Sequence, residues 1–442
     1  MITKRKLPPP KYFDLLEKYN DKLGEIFMTE LPNNFEDKYI HWHDITNRGC
    51  IEKTNHYRWL KLKFSRNYIP VNLLDENGLT FQYTLPNQCH ALLHHADSLR
   101  ADLSAYYEAN KKTKSEFLTN SLKLEEPISS SQLEGAATTR VAALSMLETE
   151  RAPTTTDERM ILNNFHLMNE ATKNKDNPLS IELILKLHEI ATLGINDLKI
   201  TPGSFRTDNS VYVCNRDGDK LHIPPSHEQL EERVNQLCIF ANFEHKDSNF
   251  IHPIIKAIIL HFMIGYEHPF YDGNGRTARA IFYWYLAKHG YNEFQFVSIS
   301  KLLKEAPKQY AMSYLYTETD DNDLTYFILY QLNIIVRAIK ELFTYLDKKK
   351  KEFINTLSWL DETDTVKLLN AKEIILLKKA IENPGKIFTV KEVRNHFGIA
   401  DNTARKYLEN LVEQKVFLKT ETDKGSFYIS RQDIVNILNQ KR

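Results

Sequence analysis

The sequence predicts a mainly α-helical protein, on three observations. Glycine is scarce, at 14 of 442 residues. Apolar residues recur three and four positions apart, as in the segment 181–191, which is the spacing of one helix face. Gly194 and Gly290 follow such segments, where helices end. The region 1–120 is the exception, because it mixes helix-like stretches with extended pieces such as Thr80–Tyr83 and so predicts an α+β fold.

The composition excludes several classes of protein. Lys plus Arg and Asp plus Glu number 58 each, so no overall charge draws the chain to nucleic acid or to an anionic membrane. The four cysteines are scattered and form no CxxC pair, which argues against a disulfide scaffold or a cysteine metal site. The most apolar helical stretch, 254–266, is too short to cross a bilayer. With no secretory signal in the first residues, we expect a soluble cytoplasmic protein that does not bind membranes.

Changes of pattern along the chain predict three domains. An N-terminal region covers 1–120, a helical domain 121–346 and a C-terminal domain 362–442, and the lysine run 348–351 marks the last boundary. Inside the helical domain, Ser210–Cys214 alternates like a strand before a turn, which predicts a short β-hairpin. Such a hairpin either braces the fold or covers an active site as a flap, and the pattern does not separate the two.

The segment from His268 to Arg279 predicts a phosphate-binding loop. It lies between two stretches with helical periodicity. Gly273 and Gly275 permit a turn in which successive N–H groups converge, and the following helix directs its positive N-terminal end to the same point. Phosphate binds at such a point.

Charged residues around this loop indicate its chemistry. Arg276 and Arg279 lie three apart on the first turn of the helix, so both can reach the oxygens of a polyphosphate. Asp272 supplies a carboxylate oxygen of the kind that Mg²⁺ takes when phosphates and water complete its coordination. His268, four residues earlier, is the candidate general base for a hydroxyl nucleophile.

The segment resembles the signature of the Fic family, His-x-Phe-x-Asp/Glu-Gly-Asn-Gly-Arg-x-x-Arg. All of its specified positions are filled, by His268, Phe270, Asp272, Gly273, Asn274, Gly275, Arg276 and Arg279. The resemblance implies a mainly helical Fic-type domain that binds ATP with Mg²⁺. It also implies that a Ser, Thr or Tyr hydroxyl of a target protein attacks the α-phosphate and that pyrophosphate leaves.

Carried over by position, the resemblance implies a role for each residue of the motif. His268 would deprotonate the target hydroxyl, and Asp272 would hold Mg²⁺. Arg276 and Arg279 would hold the β- and γ-phosphates. The α- and β-phosphates would lie on Gly273, Asn274 and Gly275. The intact Gly-Asn-Gly-Arg sequence favours AMP transfer over the phosphate transfer of relatives with an altered loop.

Two further regions resemble parts of the family's site. The hairpin region 211–225 resembles the flap that holds the target by strand-like pairing, and Ile223 and Pro224 are the contact candidates. Tyr310 falls where many relatives have a Tyr-Tyr pair lining the adenine pocket, but Gln309 replaces the first tyrosine.

A short segment near the start of the helical domain predicts an inhibitory element. Ser131 and Glu134 fit a capping box at the first turn of a helix entered after Pro127. Ser130 and Glu134 also match the Ser/Thr-x-x-x-Glu-Gly/Asn motif of Fic proteins that carry an inhibitory helix in the same chain. With the catalytic signature present, an inhibitory helix at about 128–136 is the preferred interpretation.

Glu134 is the residue that would inhibit AMP transfer. A glutamate paired with Arg279 would occupy the guanidinium that the γ-phosphate needs, so ATP would bind only with its α-phosphate misplaced. In some relatives the corresponding glutamate instead helps water to remove AMP from the target. De-AMPylation through Glu134 therefore stays open.

The C-terminal pattern predicts a winged helix-turn-helix domain. Three helices, at 372–381, 390–397 and 402–414, precede two strands, at 416–419 and 426–430. From Asp364 to Arg442, fifteen Lys or Arg stand against ten Asp or Glu, a difference of five, with Arg405 and Lys406 on the third helix. DNA binding and protein docking or dimerisation both fit this fold.

The leading hypothesis is an autoinhibited AMP transferase whose partners are ATP and an unidentified target protein; self-modification and a homodimer stay open. A nucleotide-sensing DNA-binding regulator is the alternative from another class. The intact His268 favours the enzyme.

Overall fold

The computed structural model describes residues 8–32, 38–46, 51–110, 122–195, 200–214, 218–361, 369–382, 385–422, 425–431, 433–434 and 437. They are mainly helical with few and short strands, as the sequence predicts. The chain divides into two compact units. The first comprises Met1–Ser98, Asn163–Phe294 and Ile299–Arg337, and the second Leu99–Leu162, Gln295–Ser298 and Ala338–Arg442. The division into three domains stays a prediction.

The first unit begins with four helices and a β-hairpin. These are α1 (Tyr12–Lys18), α2 (Leu23–Met28), α3 (Trp42–Thr46), α4 (Glu52–Phe64), β1 (Ile69–Leu74) and β2 (Thr80–Tyr83). The two strands are antiparallel, with Ile69 opposite Tyr83, and β2 is the extended piece that the sequence predicts. Ile26, Trp59 and Leu60 are fully buried between the helices, so this α+β region has a core of its own.

The middle of the chain is a succession of helices with one short hairpin. These elements are α5 (Asn87–Asn110), α6 (Glu125–Leu133), α7 (Arg140–Thr149), α8 (Thr156–Lys173), α9 (Ile181–Thr192), β3 (Val213–Cys214), β4 (Lys220–His222), α10 (Leu230–Asn242), α11 (Pro253–Glu267), α12 (Asn274–Lys288), α13 (Ile299–Glu305), α14 (Pro307–Thr319) and α15 (Thr325–Asp361). The predicted hairpin is present as β3 and β4, which pair antiparallel.

The core of the first unit is built on α11 and α12. Both helices are buried on nearly every side, and the mostly apolar sequence of α11 is expected for a helix enclosed by others. Ile258, Phe262, Ile281 and Phe282 are fully buried, and burying such a side chain contributes roughly 2 kcal/mol. The turn between these two helices is therefore held at both ends by the best-packed part of the unit.

Apart from the short strand β5, which was not predicted, the last elements of the second unit follow the order predicted for the C-terminal module. These are α16 (Ala371–Glu382), β5 (Ile387–Thr389), α17 (Val390–Phe397), α18 (Asp401–Glu413), β6 (Phe417–Thr422) and β7 (Gly425–Ser430). The strands form one antiparallel sheet in the order β5-β7-β6. Phe388, Leu408, Leu411 and Tyr428 are fully buried in its core. Gly398, at φ 61°, ends α17 in the left-handed conformation that glycine favours.

The capping box predicted for α6 is wrong. The helix begins at Glu125, so Ser131 and Glu134 fall at its end instead of its first turn. Ser131 Oγ donates to Pro127 O at 2.9 Å and caps no helix. The reason is that Pro127 lies inside the first turn, where its missing N–H breaks no hydrogen bond.

Three smaller features complete the fold. The lysine run 348–351 lies inside α15, and the domain boundary predicted there stays a prediction. Cys89, Cys214 and Cys238 are free thiols, and Cys50 lies outside the described residues. No described helix combines the length and the apolar character that a membrane span needs.

Candidate active site

His268 is fixed at the end of α11. It adopts a left-handed conformation, φ 45° and ψ 56°, and its N–H donates to Ile264 O at 3.1 Å. A non-glycine residue with positive φ is uncommon and turns the chain sharply. The ring Nδ1 faces Gly265 O at 3.3 Å, and a proton on Nδ1 there places the basic lone pair on Nε2. The ring is half-buried.

Arg206 fastens the backbone at His268. Its Nε donates to His268 O at 3.1 Å, and its backbone N–H donates to Pro269 O at 2.9 Å. The rest of the guanidinium binds Asp208 O at 2.9 Å and Pro225 O. Since Arg206 is 3% exposed, one buried side chain ties the catalytic loop to the segment that follows the hairpin.

Asn274 closes the loop between the two helices. Its Oδ1 accepts from Phe270 N at 2.9 Å, and its Nδ2 donates to Phe270 O at 2.8 Å. Asn274 is 4% exposed and is the first residue of α12. The amide that the sequence assigned to phosphate is thus used inside the loop, which leaves the backbone N–H of Asn274 as its group for an anion.

Gly273 supplies the turn that this loop requires. It precedes α12 at φ 82°, a conformation that L side chains rarely adopt. A Cβ placed there would lie 3.1 Å from Thr192 Cγ2 and 3.2 Å from His188 Cδ2. Gly275 differs, because it lies within α12 and has no positive φ. Of the two glycines in the predicted turn, Gly273 alone is needed for its backbone.

His188, on α9, supports the loop from below. Its ring stacks on Phe270 with centroids 3.7 Å apart and planes 2° apart. Its Nε2 donates to Asp272 O at 3.0 Å, while its Nδ1 accepts from Gly203 N at 3.1 Å. Burial, and to a smaller extent the positive charge of Arg276, lower the pKa of His188 to about 4. The ring is therefore neutral and held in one tautomer near neutral pH.

Arg276 is occupied within the protein. It is fully buried; Nη1 donates to Ala191 O at 2.7 Å and Nη2 donates to Asp272 Oδ2 at 2.7 Å. Its Nε has no partner among the described residues. In this structure Arg276 orients Asp272. A phosphate contact would have to replace one of these bonds, and it stays a prediction. The Asp272 side chain is 42% exposed.

Arg279, His261 and Tyr310 lie in one neighbourhood. Arg279 is fully buried on α12. Burial and then the charge of Arg279 lower the pKa of His261 to about 3, and the His261 Nε2 lies 2.8 Å from Tyr310 Oη. His261 is therefore neutral near neutral pH. It interacts both with Arg279, the predicted γ-phosphate residue, and with Tyr310, the predicted adenine residue. Gln309, next to Tyr310, is exposed.

The hairpin is anchored at its last residue. Val213 on β3 lies opposite His222 on β4. His222 Nε2 donates to Tyr266 O at 2.7 Å, and its Nδ1 lies 2.9 Å from Glu318 Oε2. The next residue, Ile223, is 58% exposed.

Ile223 and Pro224 differ in accessibility. Pro224 is buried, so of the two predicted contact residues only Ile223 has an exposed side chain.

A model of the Fic/DOC family matches residues 178–286, which contain the whole loop, the helix before it and most of the helix after it. The chain carries a Fic/DOC family domain. The Fic domain includes α9, the hairpin, α11 and most of α12.

Curated relatives of the Fic domain carry the name protein adenylyltransferase Fic. The protein from Drosophila willistoni is 32% identical over 203 residues, covering 44% of this chain and 38% of the relative. The protein from Nematostella vectensis is 31% identical over 124 residues, covering 28% and 26%. This chain therefore spans well under half the length of these relatives.

A solved structure supports the Fic fold. The Fic family protein from Desulfovibrio desulfuricans G20 matches with a TM-score of 0.51 at 16% identity, covering 79% of this chain and 97% of that chain. At this identity the likeness concerns the fold alone.

The segment predicted to inhibit the Fic domain lies in the second unit. Ser130 is fully buried within α6. Glu134 follows the last residue of α6; its N–H donates to Ser130 O at 3.3 Å, and its side chain is exposed. The pairing of Glu134 with Arg279 stays a prediction.

Sequence reasoning missed two residues of the Fic domain site, His188 and Arg206. Each binds a backbone carbonyl of the loop. Because every residue has such a carbonyl, the sequence gives no signal for these contacts. Arg206 lies in the irregular segment before the hairpin, where the loss of helical period was visible. No spacing rule connects that segment to His268.

Proposed function

We propose that this protein is an autoinhibited AMP transferase. It moves AMP from ATP to a Ser, Thr or Tyr hydroxyl of a target protein and releases pyrophosphate. The observation that carries the proposal is the closed loop, in which Asn274 ties Phe270 to the start of α12. This closure keeps His268, two residues before Phe270, beside a helix N-terminus that attracts phosphate.

The phosphates would lie at the start of α12. The backbone N–H groups after Gly273 are directed out of the first turn, where no residue of the helix accepts them. Together with the helix dipole they stabilise negative charge that develops on the α-phosphate during transfer. Arg279 is the proposed partner of the outer phosphates.

His268 is the proposed general base. Its left-handed backbone and the Arg206 bond to its carbonyl fix the direction of the ring. With a proton on Nδ1, Nε2 can take the proton of the incoming hydroxyl as the oxygen attacks phosphorus. The hydroxyl oxygen then forms the new P–O bond while the bond to pyrophosphate breaks.

Asp272 is the proposed Mg²⁺ ligand. One of its oxygens is bound to Arg276, and the side chain is 42% exposed, so the carboxylate can still bind a cation. No cluster of three or more metal-binding side chains occurs in the described part of the chain. That donor set suits Mg²⁺, which usually takes one or two carboxylates and completes its shell with substrate phosphates and water. The ion would neutralise charge on the polyphosphate.

Glu134 is the proposed inhibitor, on the motif that it forms with Ser130. The same carboxylate could serve removal of AMP, which is the alternative direction of the proposed reaction. A reducing cytoplasm is the proposed location, because it keeps thiols such as Cys89 and Cys214 free.

Labelled ATP tests the proposal. The purified full chain is incubated with Mg²⁺ and ATP labelled at the α- or the γ-phosphate, alone and with a cell lysate. We expect α-label on protein, at least a tenfold increase for Glu134→Gly, and loss of label for His268→Ala. His90→Ala is the matched control, because His90 is exposed on α5 and has no proposed role.

The outcomes separate the alternatives. Transfer of γ-label alone identifies a kinase and contradicts the proposal, as does the absence of any transfer by Glu134→Gly. An increase for Glu134→Gly without an increase for Glu134→Gln would show that the charge is not what inhibits. A labelled target that loses AMP with the wild type but not with Glu134→Gly identifies the reverse reaction.

A further inference from the structure

Most cations of the C-terminal elements are neutralised by neighbouring carboxylates. Among the salt bridges of the described residues here, Lys379 and Lys386 pair with Glu392, Lys391 and Arg394 with Glu150, Lys419 with Glu409, and Arg431 with Asp433. Arg405 and Lys406, both on α18, are exposed and form no salt bridge with any described residue. Two exposed cations without a described salt bridge, Arg405 and Lys406, therefore lie side by side in the first half of α18.

The exposed face of α18 is polar. Ala404, Leu408 and Leu411 are buried on the opposite face, and their spacing leaves Asn402 and Lys406 directed outward, with Arg405 beside them. The large exposed hydrophobic residues of the C-terminal elements, Ile387 and Leu418, both lie on strands. A partner protein that docks in a groove needs apolar anchors, which this face does not offer.

The preceding helix, α17, already has a partner within the second unit. Lys391 Nζ and Arg394 Nη2 each lie 3.0 Å from the carboxylate of Glu150, at the end of α7. Asn395 Nδ2 donates to Glu148 O at 2.9 Å. The helix α17 is thus bound to the end of α7, while the outer face of α18 stays exposed.

These residue types match the edges of base pairs. Arg recognises guanine and Asn recognises adenine through paired hydrogen bonds in the major groove. In a helix-turn-helix the N-terminal residues of the second helix contact bases, and Asn402, Arg405 and Lys406 lie in the first two turns of α18. Glu413 is further along, in the last turn, and Glu409 is bound to Lys419 at 2.9 Å.

We propose that the C-terminal module binds double-stranded DNA, with the N-terminal half of α18 in the major groove. Arg405 and Lys406 supply the positive charge, and Asn402 and Arg405 read bases. The strands β6 and β7 form the wing beside it. This activity is independent of AMP transfer, because none of its residues belongs to the Fic domain.

Salt-dependent binding tests the proposal. The full chain is titrated into a fluorescent pool of random duplexes of about 20 base pairs at several salt concentrations, and bound sequences are recovered. We expect Arg405→Ala and Lys406→Ala each to reduce the slope of log affinity against log salt by about one, since each removes one phosphate-neutralising charge. Arg405→Ala also relaxes base preference at one position, with about a tenfold loss of affinity.

The control is Lys340→Ala, which removes an exposed cation from α15. It should leave affinity and salt slope unchanged, and all three variants should keep the thermal midpoint of the wild type. The proposal is overturned if the wild type binds no duplex at low salt. It is also overturned if Lys340→Ala weakens binding as much as Lys406→Ala, or if a protein from a lysate is retained through α18 while duplex is not.

Discussion

Gly273 joins a backbone requirement to a packing requirement. Its φ of 82° is costly for any residue with a Cβ, and the space beside it is already filled by Thr192 and His188. The His188 Nε2, 3.4 Å from the position of such a Cβ, also donates to Asp272 O. A change at Gly273 would therefore disturb Asp272, the proposed Mg²⁺ ligand at the preceding position, through His188.

Gly273→Ala should lower both stability and AMP transfer. The left-handed backbone costs about 1 kcal/mol with alanine, and overpacking adds about 1–3 kcal/mol. Gly78→Ala is the matched control, since Gly78 has φ 80° and nothing within 4 Å of the added Cβ. Urea unfolding and α-label incorporation measure the two effects. Equal destabilisation by the two variants would contradict the packing argument.

Single residues also show what a sequence can predict. The motif from His268 to Arg279 is local, so its spacing alone indicates a loop before a helix N-terminus. Arg276 was predicted to hold phosphate because its charge is visible in the sequence. One of its partners in the structure, Ala191 O, is a backbone atom on α9, far away in the sequence. Contacts of this kind depend on tertiary packing and have no sequence signal.

At the scale of elements, the hairpin depends on one histidine. Both ring nitrogens of His222 face acceptors, Tyr266 O and the Glu318 carboxylate. Two donated bonds require a proton on each nitrogen. The pair therefore joins β4 to α11 and α14 by a charge-assisted contact, just before the exposed Ile223.

His222→Phe should loosen the hairpin without changing the nucleotide site. We expect the KM for the target protein to rise about tenfold, because ordering the hairpin then costs part of the binding free energy. The KM for ATP should stay unchanged. Glu318→Gln is the milder control, since its amide oxygen still accepts from Nδ1. Steady-state kinetics with each substrate varied in turn measure both constants, and equal increases in the two would contradict this role.

Helices were predicted best where the apolar periodicity and the capping residues indicate the same bounds. Residues 390–397 form α17 as predicted, because Thr389 and Gly398 cap an apolar period. The strand β5 was missed, since three residues are too few for alternation to register. The start of α6 was misplaced because Pro127 was taken to precede the helix, whereas its first turn accommodates it.

For the whole molecule, buried histidines set the response to acid. Burial lowers the pKa of four of them from 6.5, to about 3 for His41 and His261 and about 4 for His188 and His396. Between pH 6.5 and these values the unfolded chain binds a proton at each that the folded chain does not. The contribution of these histidines to the free energy of unfolding is therefore fully present above pH 6.5 and is lost as the pH falls towards their folded-state pKa values.

We expect the free energy of unfolding to fall between pH 6.5 and 5, by up to about 1.4 kcal/mol per pH unit for each of these histidines. Burial raises the pKa of Glu267 and Asp323, and this opposes part of the loss. Urea unfolding at pH 7, 6 and 5 measures the slope. His41→Phe keeps the stack on Tyr316 and should reduce the slope by one histidine. A stability that does not change over this range would contradict the assignment.

The amide of Asn274 has a consequence for how the protein ages. An Asn-Gly pair is prone to deamidation, in which the glycine nitrogen attacks the asparagine side-chain carbonyl; asparagine is among the residues that heat damages first. Here Oδ1 and Nδ2 are both bound to Phe270, and the residue is 4% exposed at the start of a helix. Conversion to aspartate would set an oxygen against Phe270 O in place of a donor. The contacts that shape the loop therefore also protect the Asn274 side-chain amide from deamidation. Each local opening of the loop exposes this amide to attack by the glycine nitrogen.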